Sequence, residues 1–176
     1  MRPSDYGKIN DDYDVFSASV QIGIYGYFSN SRIEVLTKLK SFLISRKLNA
    51  KMSIDFENLQ LPVISQQGDA LRSSEMLFDS SRIHLFVLLP PTTDQSGRLL
   101  DSVSMEYGWV WKFRQPYVGV YIQRGSEIST LAQGAIDDMH DFWANETFDN
   151  IEDIFLNISK YCEAKIYEIF WLTEIK

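Results

Sequence analysis

The side chains that could do chemistry gather in one stretch, Asp101 to Tyr121, DSVSMEYGWVWKFRQPYVGVY. It carries a carboxylate, Glu106, within a helical pattern, with Asp101 and Ser102 ahead of it and an apolar strand pattern behind. A carboxylate in the early turns of a helix is favoured by the macrodipole by about 0.3–1 kcal/mol, so Glu106 taken alone also has a purely structural reading. Ser102 and Ser104 read as capping residues, because no histidine or lysine stands at a spacing that would activate a hydroxyl. Arg98 and Arg124 flank the stretch and offer guanidinium groups to a phosphate. His84 lies in an apolar run and reads as a buried, hydrogen-bonded neutral imidazole. His84 and His140 are far apart and the single cysteine, Cys162, lacks a partner at ligand spacing, so no metal is expected. Cys162 falls on an apolar helical stripe and reads as a small core side chain.

The elements that must position these groups follow from hydrophobic period and punctuation. Val20 to Tyr27, VQIGIYGY, is rich in β-branched and aromatic residues and bounded by polar ones, the pattern of a buried strand. Gly23 and Gly26 weaken it locally but let another backbone or a ligand come close. Ser31 and Glu34 stand at capping-box spacing ahead of Ile33, Leu36, Leu39, Phe42 and Leu43, which predicts a helix over 31–46. A strand over 50–54 completes a βαβ unit. The turn between strand and helix, GYFSNS, has neither of the usual glycine-rich phosphate loops; Ser29, Asn30 and Ser31 can cap the helix or offer donors to a ligand. ENLQLPVISQQGDA, with Pro62 and Gly68, predicts a long connection. A helix over 69–79 then leads to IHLFVLL at 83–89, the most apolar run and the predicted central strand.

Pro90 and Pro91 stop that strand, and TTDQSGRLLD follows, a polar loop at the carboxyl end of a central parallel strand, where open α/β sheets bind ligands. The next predicted helix, 102–113, places Val103, Tyr107 and Val110 on its core face and Glu106 at the margin of that face. Gln115 and Pro116 end it before a strand over 117–122. A short helix over 126–132, a short strand over 139–143 and a long helix over 147–170 complete the pattern, the last from Phe148, Ile151, Phe155, Ile158, Cys162, Ile166 and Ile169. The expectation is one α/β domain over 16–176. Its sheet is an open, mainly parallel, flavodoxin-like (Rossmann-like) sheet of about five strands with helices on both faces, preceded by a polar arm over 1–15.

Composition narrows the functions available. The chain has 176 residues, 45% hydrophobic and 14% aromatic, enough for a single core. Seventeen basic against 24 acidic residues give a net charge of −7, which disfavours a nucleic-acid polymer or an anionic membrane as partner and leaves a small ligand held by local donors. No stretch reaches the roughly 20 apolar residues of a membrane span, and MRPSDYGKINDDYD has no apolar core of a secretory signal. With one cysteine, a cytoplasmic location is expected.

SSRIHLFVLL followed by a polar loop and VSMEYGWVWKFRQPYVGVYI resembles the nucleoside 2-deoxyribosyltransferase-like proteins, with TIR-type domains as more distant relatives, and VQIGIYGYFSNSRIEVLTKLKSFLISRKLNA resembles their first βα unit. The likeness covers about 18–122 and is most specific at Glu106-Tyr107-Gly108 and Gln115-Pro116. It implies a Rossmann-like fold and cleavage or transfer at the N-glycosidic bond of a nucleoside, nucleotide or NAD. Glu106 would act as nucleophile or as the carboxylate that stabilises an oxocarbenium-like centre. Asp101 or Asp94 would serve as the auxiliary acid, or neither. Tyr25 or Tyr27 would meet the base or ribose, and Ser29, Ser102 and Arg98 would also contact substrate. No cofactor is required, and NAD enters as a substrate. The resemblance also implies a homo-oligomer. The family's aspartate and Gly-Thr ahead of the glutamate are replaced here by Asp101-Ser102-Val103-Ser104, without the glycine and with the acid one residue too close. That departure keeps open a non-catalytic nucleotide-binding or signalling module on the same fold, and an interaction protein that uses its long last helix.

Overall fold

The computed structural model describes residues 3–26, 30–56, 66–90 and 101–174, and of 3–10, 30, 31, 66–69, 101 and 102 the backbone alone. In chain order the elements are α1 (Pro3–Ser19), β1 (Gln21–Tyr25), α2 (Asn30–Ser45), β2 (Asn49–Met52), α3 (Gln66–Ser80), β3 (Ile83–Leu88), α4 (Asp101–Lys112), β4 (Val118–Gln123), α5 (Thr130–Asp138), β5 (Ala144–Phe148) and α6 (Ile151–Glu174), with a 3-10 turn, Ser53–Phe56, after β2. The five strands form one parallel sheet in the order β2-β1-β3-β4-β5, the flavodoxin-like arrangement expected from the alternation of strand and helix patterns. All six residues of β3 are buried, as a central strand covered on both faces requires.

The sheet separates two cores. On one face Leu36, Leu39 and Leu43 of α2 and Ile154, Ile158, Cys162 and Ile166 of α6 pack on Ile22, Ile24, Ile83, Leu85 and Val87. On the other, Leu77 of α3, Val103, Tyr107 and Val110 of α4 and Ile136 of α5 pack on Tyr25, Phe86, Val118 and Val120. The period of two sends neighbouring strand residues to opposite faces, so IHLFVL serves both cores at once. Helix ends are closed by backbone geometry: Lys47 (φ 63°) and Arg114 (φ 50°) take left-handed conformations, and Leu48 N and Gln115 N bond back to Leu43 O and Val110 O.

Four expectations shift. Of the stretch 1–15, expected as a polar arm, the described residues 3–15 lie within a helix that continues to Ser19, where Tyr13 and Phe16 pack against Phe170 of α6 at 5.6 and 5.3 Å between ring centroids. The short helix expected at 126–132 runs Thr130–Asp138, started by Ser129, whose hydroxyl accepts from Ala132 N at 3.1 Å. The last strand is not Met139 to Trp143, which close α5 as a C-cap and turns, but ANETF at Ala144–Phe148. As an edge strand with three exposed residues it carries no apolar run to mark it. Helix α6 accordingly begins at Ile151 rather than 147, with Asn150 Oδ1 accepting from Glu152 N at 3.2 Å. Among the described residues no helix is long and apolar enough to cross a membrane.

Candidate active site

The strand order reverses between β1 and β3, which lie side by side while their connections leave in opposite directions. In an open parallel sheet this is where a crevice opens at the carboxyl ends. Three things meet there: the end of β1 at Tyr25 and Gly26, the end of β3 at Leu89 and Pro90, and the first turns of α4, which follows β3. Arg32, in the first turn of α2, is buried and donates from Nη2 to the Pro90 carbonyl, tying the two strand ends together.

Glu106 sits about 7–8 Å along α4 from its first residue, at 1.5 Å per residue, on the side turned toward α3. It is 4% exposed, deeper than the core margin where sequence period alone places it. The Ser74 side chain of α3 forms a hydrogen bond with the carboxyl group. Burial pushes the Glu106 pKa up to about 7, against the opposing pull of that bond. Its charge also reaches Tyr25, whose phenol burial first, and Glu106 second, hold well above the ordinary value. The protein therefore holds a desolvated carboxyl group between α3 and α4 that is shared between its charged and neutral forms near neutrality.

Of Tyr25 and Tyr27, the two alternatives for meeting a base or ribose, Tyr25 has its ring in the core. It is 1% exposed and its ring is stacked on Phe86 at 4.7 Å between centroids. The ring leans back along its own strand over Gly23, where an added Cβ would lie 3.0 Å from both Cε2 and Oη. Its hydroxyl shares a 2.9 Å hydrogen bond with His84 Nδ1. Gly23 is the register partner of His84, so the missing side chain at 23 makes the room in which the phenol reaches the imidazole. His84 is fully buried, and burial pushes its pKa down to about 4, the neutral structural histidine its apolar setting suggested.

Asp101 and Ser102 form the first turn of α4, directly ahead of Glu106. Tyr27, Ser29, Asp94 and Arg98 lie outside the described residues. Ser104 is exposed and faces the groove between α4 and α5, away from Glu106. Arg124 is exposed and pairs with Asp149 at 2.5 Å. Trp109 packs on Phe78 at 5.8 Å, and the Trp111 indole donates to Asp138 at 2.8 Å. Cys162 is fully buried, with its thiol pushed well above the ordinary value by that burial. Sequence reasoning missed Arg32 and the serine pair Ser73 and Ser74. Each carries a signal in its period: Arg32 stands four residues before Leu36, and Ser73 and Ser74 stand four and three before Leu77, on stripes that are otherwise apolar.

No protein-family model and no curated protein matches the chain. Several solved structures match by shape. One is a 2-deoxyribosyltransferase from the psychrotolerant bacterium Bacillus psychrosaccharolyticus, with TM-score 0.51 and 13% identity over 77% of this chain and 90% of that one. Another is the CMP N-glycosidase of Clostridium botulinum, with TM-score 0.51 and 7% identity over 78% of this chain and 97% of that one. At such identity the likeness is one of fold. The chain has the nucleoside deoxyribosyltransferase-like fold, the one its Glu106-Tyr107-Gly108 and Gln115-Pro116 pattern resembled.

Proposed function

We propose that this protein cleaves or transfers at the N-glycosidic bond of a nucleoside, a nucleotide or NAD, with Glu106 as nucleophile or oxocarbenium-stabilising carboxylate. The observation that carries the reading is a buried, Ser74-bonded carboxyl group on α4, the helix that follows the central strand β3. As the bond from C1′ to the base nitrogen breaks, its electron pair leaves with the base, which takes up a proton, and positive charge grows on the sugar. An ionised carboxylate in a desolvated site either stabilises that charge or closes a bond to C1′, which water or an acceptor base then displaces. Asp101, at the start of the same helix, is the proposed proton donor to the base. Tyr27, Ser29, Ser102 and Arg98 are the proposed substrate contacts, since they flank the switch-point crevice in sequence. Two proteins similar in fold, a 2-deoxyribosyltransferase and a CMP N-glycosidase, carry names of this class of reaction.

The test is incubation with a panel of nucleosides, nucleotides and NAD, with free base followed by chromatography. Release by wild type and its loss in Glu106→Gln is the expected result; equal release by both would remove Glu106 from the chemistry. The irregular segment ahead of Glu106, without the Asp-Gly-Thr of the family pattern, favours a second reading, a nucleotide-binding module without turnover. That reading requires a thermal shift with a panel member and no base release by wild type.

A further inference from the structure

Helix α4 has an unfilled side away from Glu106. Where it runs beside α5 a pocket of about 560 Å³ opens, within the range of small-molecule sites, lined among others by Tyr107, Gly108, Trp111, Leu131 and Gly134. Gly108 and Gly134 stand on opposite helices, and a Cβ added at either would meet nothing within 4 Å. With no side chain at either position, a slot of free space remains between the two helices there. One end is fixed: the Trp111 indole donates to Asp138 at 2.8 Å, and the Arg114 guanidinium lies over its ring at 5.2 Å. A smaller cavity of about 30 Å³ adjoins the slot, sharing Ser104, Tyr107, Ser129 and Ala132 with it.

The Tyr107 hydroxyl is buried and has no hydrogen-bond partner among the described residues. Tyr107 itself is 3% exposed, with its ring held by Phe86 at 4.6 Å and Trp143 at 5.5 Å. A buried hydroxyl without a partner costs about 1–3 kcal/mol, so an acceptor brought to it is rewarded. We propose that the space between α4 and α5 is a small-molecule site distinct from the Glu106 site, taking a planar, largely apolar ring system with one hydrogen-bond acceptor. The ring lies between Gly108 and Gly134 against Trp111, and the acceptor reaches the Tyr107 hydroxyl through the smaller cavity. Glu106 turns toward α3, on another side of the helix, so this site does not depend on the reaction proposed above.

Quinoline is the probe, with naphthalene as its counterpart lacking the acceptor, and binding is read on the full chain from amide shifts in nitrogen-15 spectra. Quinoline is expected to move the amides of 104–111 and 129–135. Gly108→Leu and Gly134→Leu each put a side chain into the slot from a Cβ that meets nothing within 4 Å, so each should keep a melting temperature at or above wild type and bind quinoline at least about tenfold more weakly. Tyr107→Phe should weaken quinoline by about tenfold and leave naphthalene unchanged. Undiminished quinoline binding in the folded leucine variants, or equal quinoline binding by Tyr107→Phe, overturns the proposal. So do shifts at these amides that follow protein concentration instead of quinoline, which would mean that a second copy covers this face.

Discussion

At the scale of single residues, Glu106 combines two demands that pull apart. An attacking or charge-stabilising carboxylate must be ionised, yet burial holds the Glu106 pKa up to about 7. If the proposed reaction is right, kcat/KM with whichever panel member releases base should rise with pH and level off above an apparent pKa near 7. A flat profile between pH 5 and 9 would show that the ionised carboxylate is not what acts. Ser74 opposes the rise by bonding to the carboxyl group, so Ser74→Ala should carry the inflection to higher pH while Ser74→Thr restores it. Replacing Glu106 with glutamine removes the anion and keeps the shape; a loss of roughly 10²–10⁴ in rate is expected, as for other positioned acid and base groups. Only part of this was legible in the sequence. The carboxylate could be read from its helix and from the strand behind it. Its burial could not, since Ser74 comes from a helix some thirty residues away in the chain, and no local period reports what a distant helix brings.

At the scale of elements, regular patterns translated directly and irregular ones did not. The long runs of β1, β3 and β4 and the stripes of α2, α4 and α6 each bury a face, so their period is imposed by the core. β5 buries almost nothing and has no such imposition; its position comes from pairing with β4, which is not written in its own five residues. The tyrosines show a subtler limit. Gly23-Ile24-Tyr25 and Gly119-Val120-Tyr121 are the same device on opposite faces of the sheet, each ring laid back over the glycine two residues earlier. Reading Tyr25 as a ligand contact took its place at the strand end for its direction. Gly23→Ala tests the device: the new Cβ would stand 2.7 Å from Ser81 Oγ and 3.0 Å from the ring, so the variant should lose about 1–3 kcal/mol by urea unfolding. Gly134→Ala, with open space around its Cβ in α5, should instead gain about 0.5–1 kcal/mol. Losses of the same size at both positions would mean that backbone freedom, not contact, sets the cost.

At the scale of the whole molecule, two buried titratable groups act on stability in opposite senses. Glu106 is raised from 4.5 to about 7, so the stability its neutral form brings is fully present below pH 4.5 and is lost as pH rises through 7. His84 is lowered from 6.5 to about 4, so the stability its neutral form brings is present above pH 6.5 and is lost as pH falls through 4. Each swing is on the order of 3 kcal/mol. Because the shifts are alike in size and opposed in direction, the sum of the two changes by less than about 1 kcal/mol between pH 4 and 8. Single variants should uncover the hidden slopes. The stability of Glu106→Gln relative to wild type should climb from low pH to pH 8, and that of His84→Gln relative to wild type should climb as pH falls toward 4, whatever constant offset the lost Tyr25 bond adds. Taking differences between chains cancels the exposed carboxylates, which titrate alike in all three. Urea unfolding across this range gives the three curves, and parallel curves would mean that neither group is as desolvated in solution as its burial implies. The compensation has a functional reading too. A site that keeps a carboxylate of raised pKa is destabilised by its own charge as pH rises to the range where the proposed chemistry needs it, and the neutral His84 beneath Tyr25 regains stability over part of that same interval.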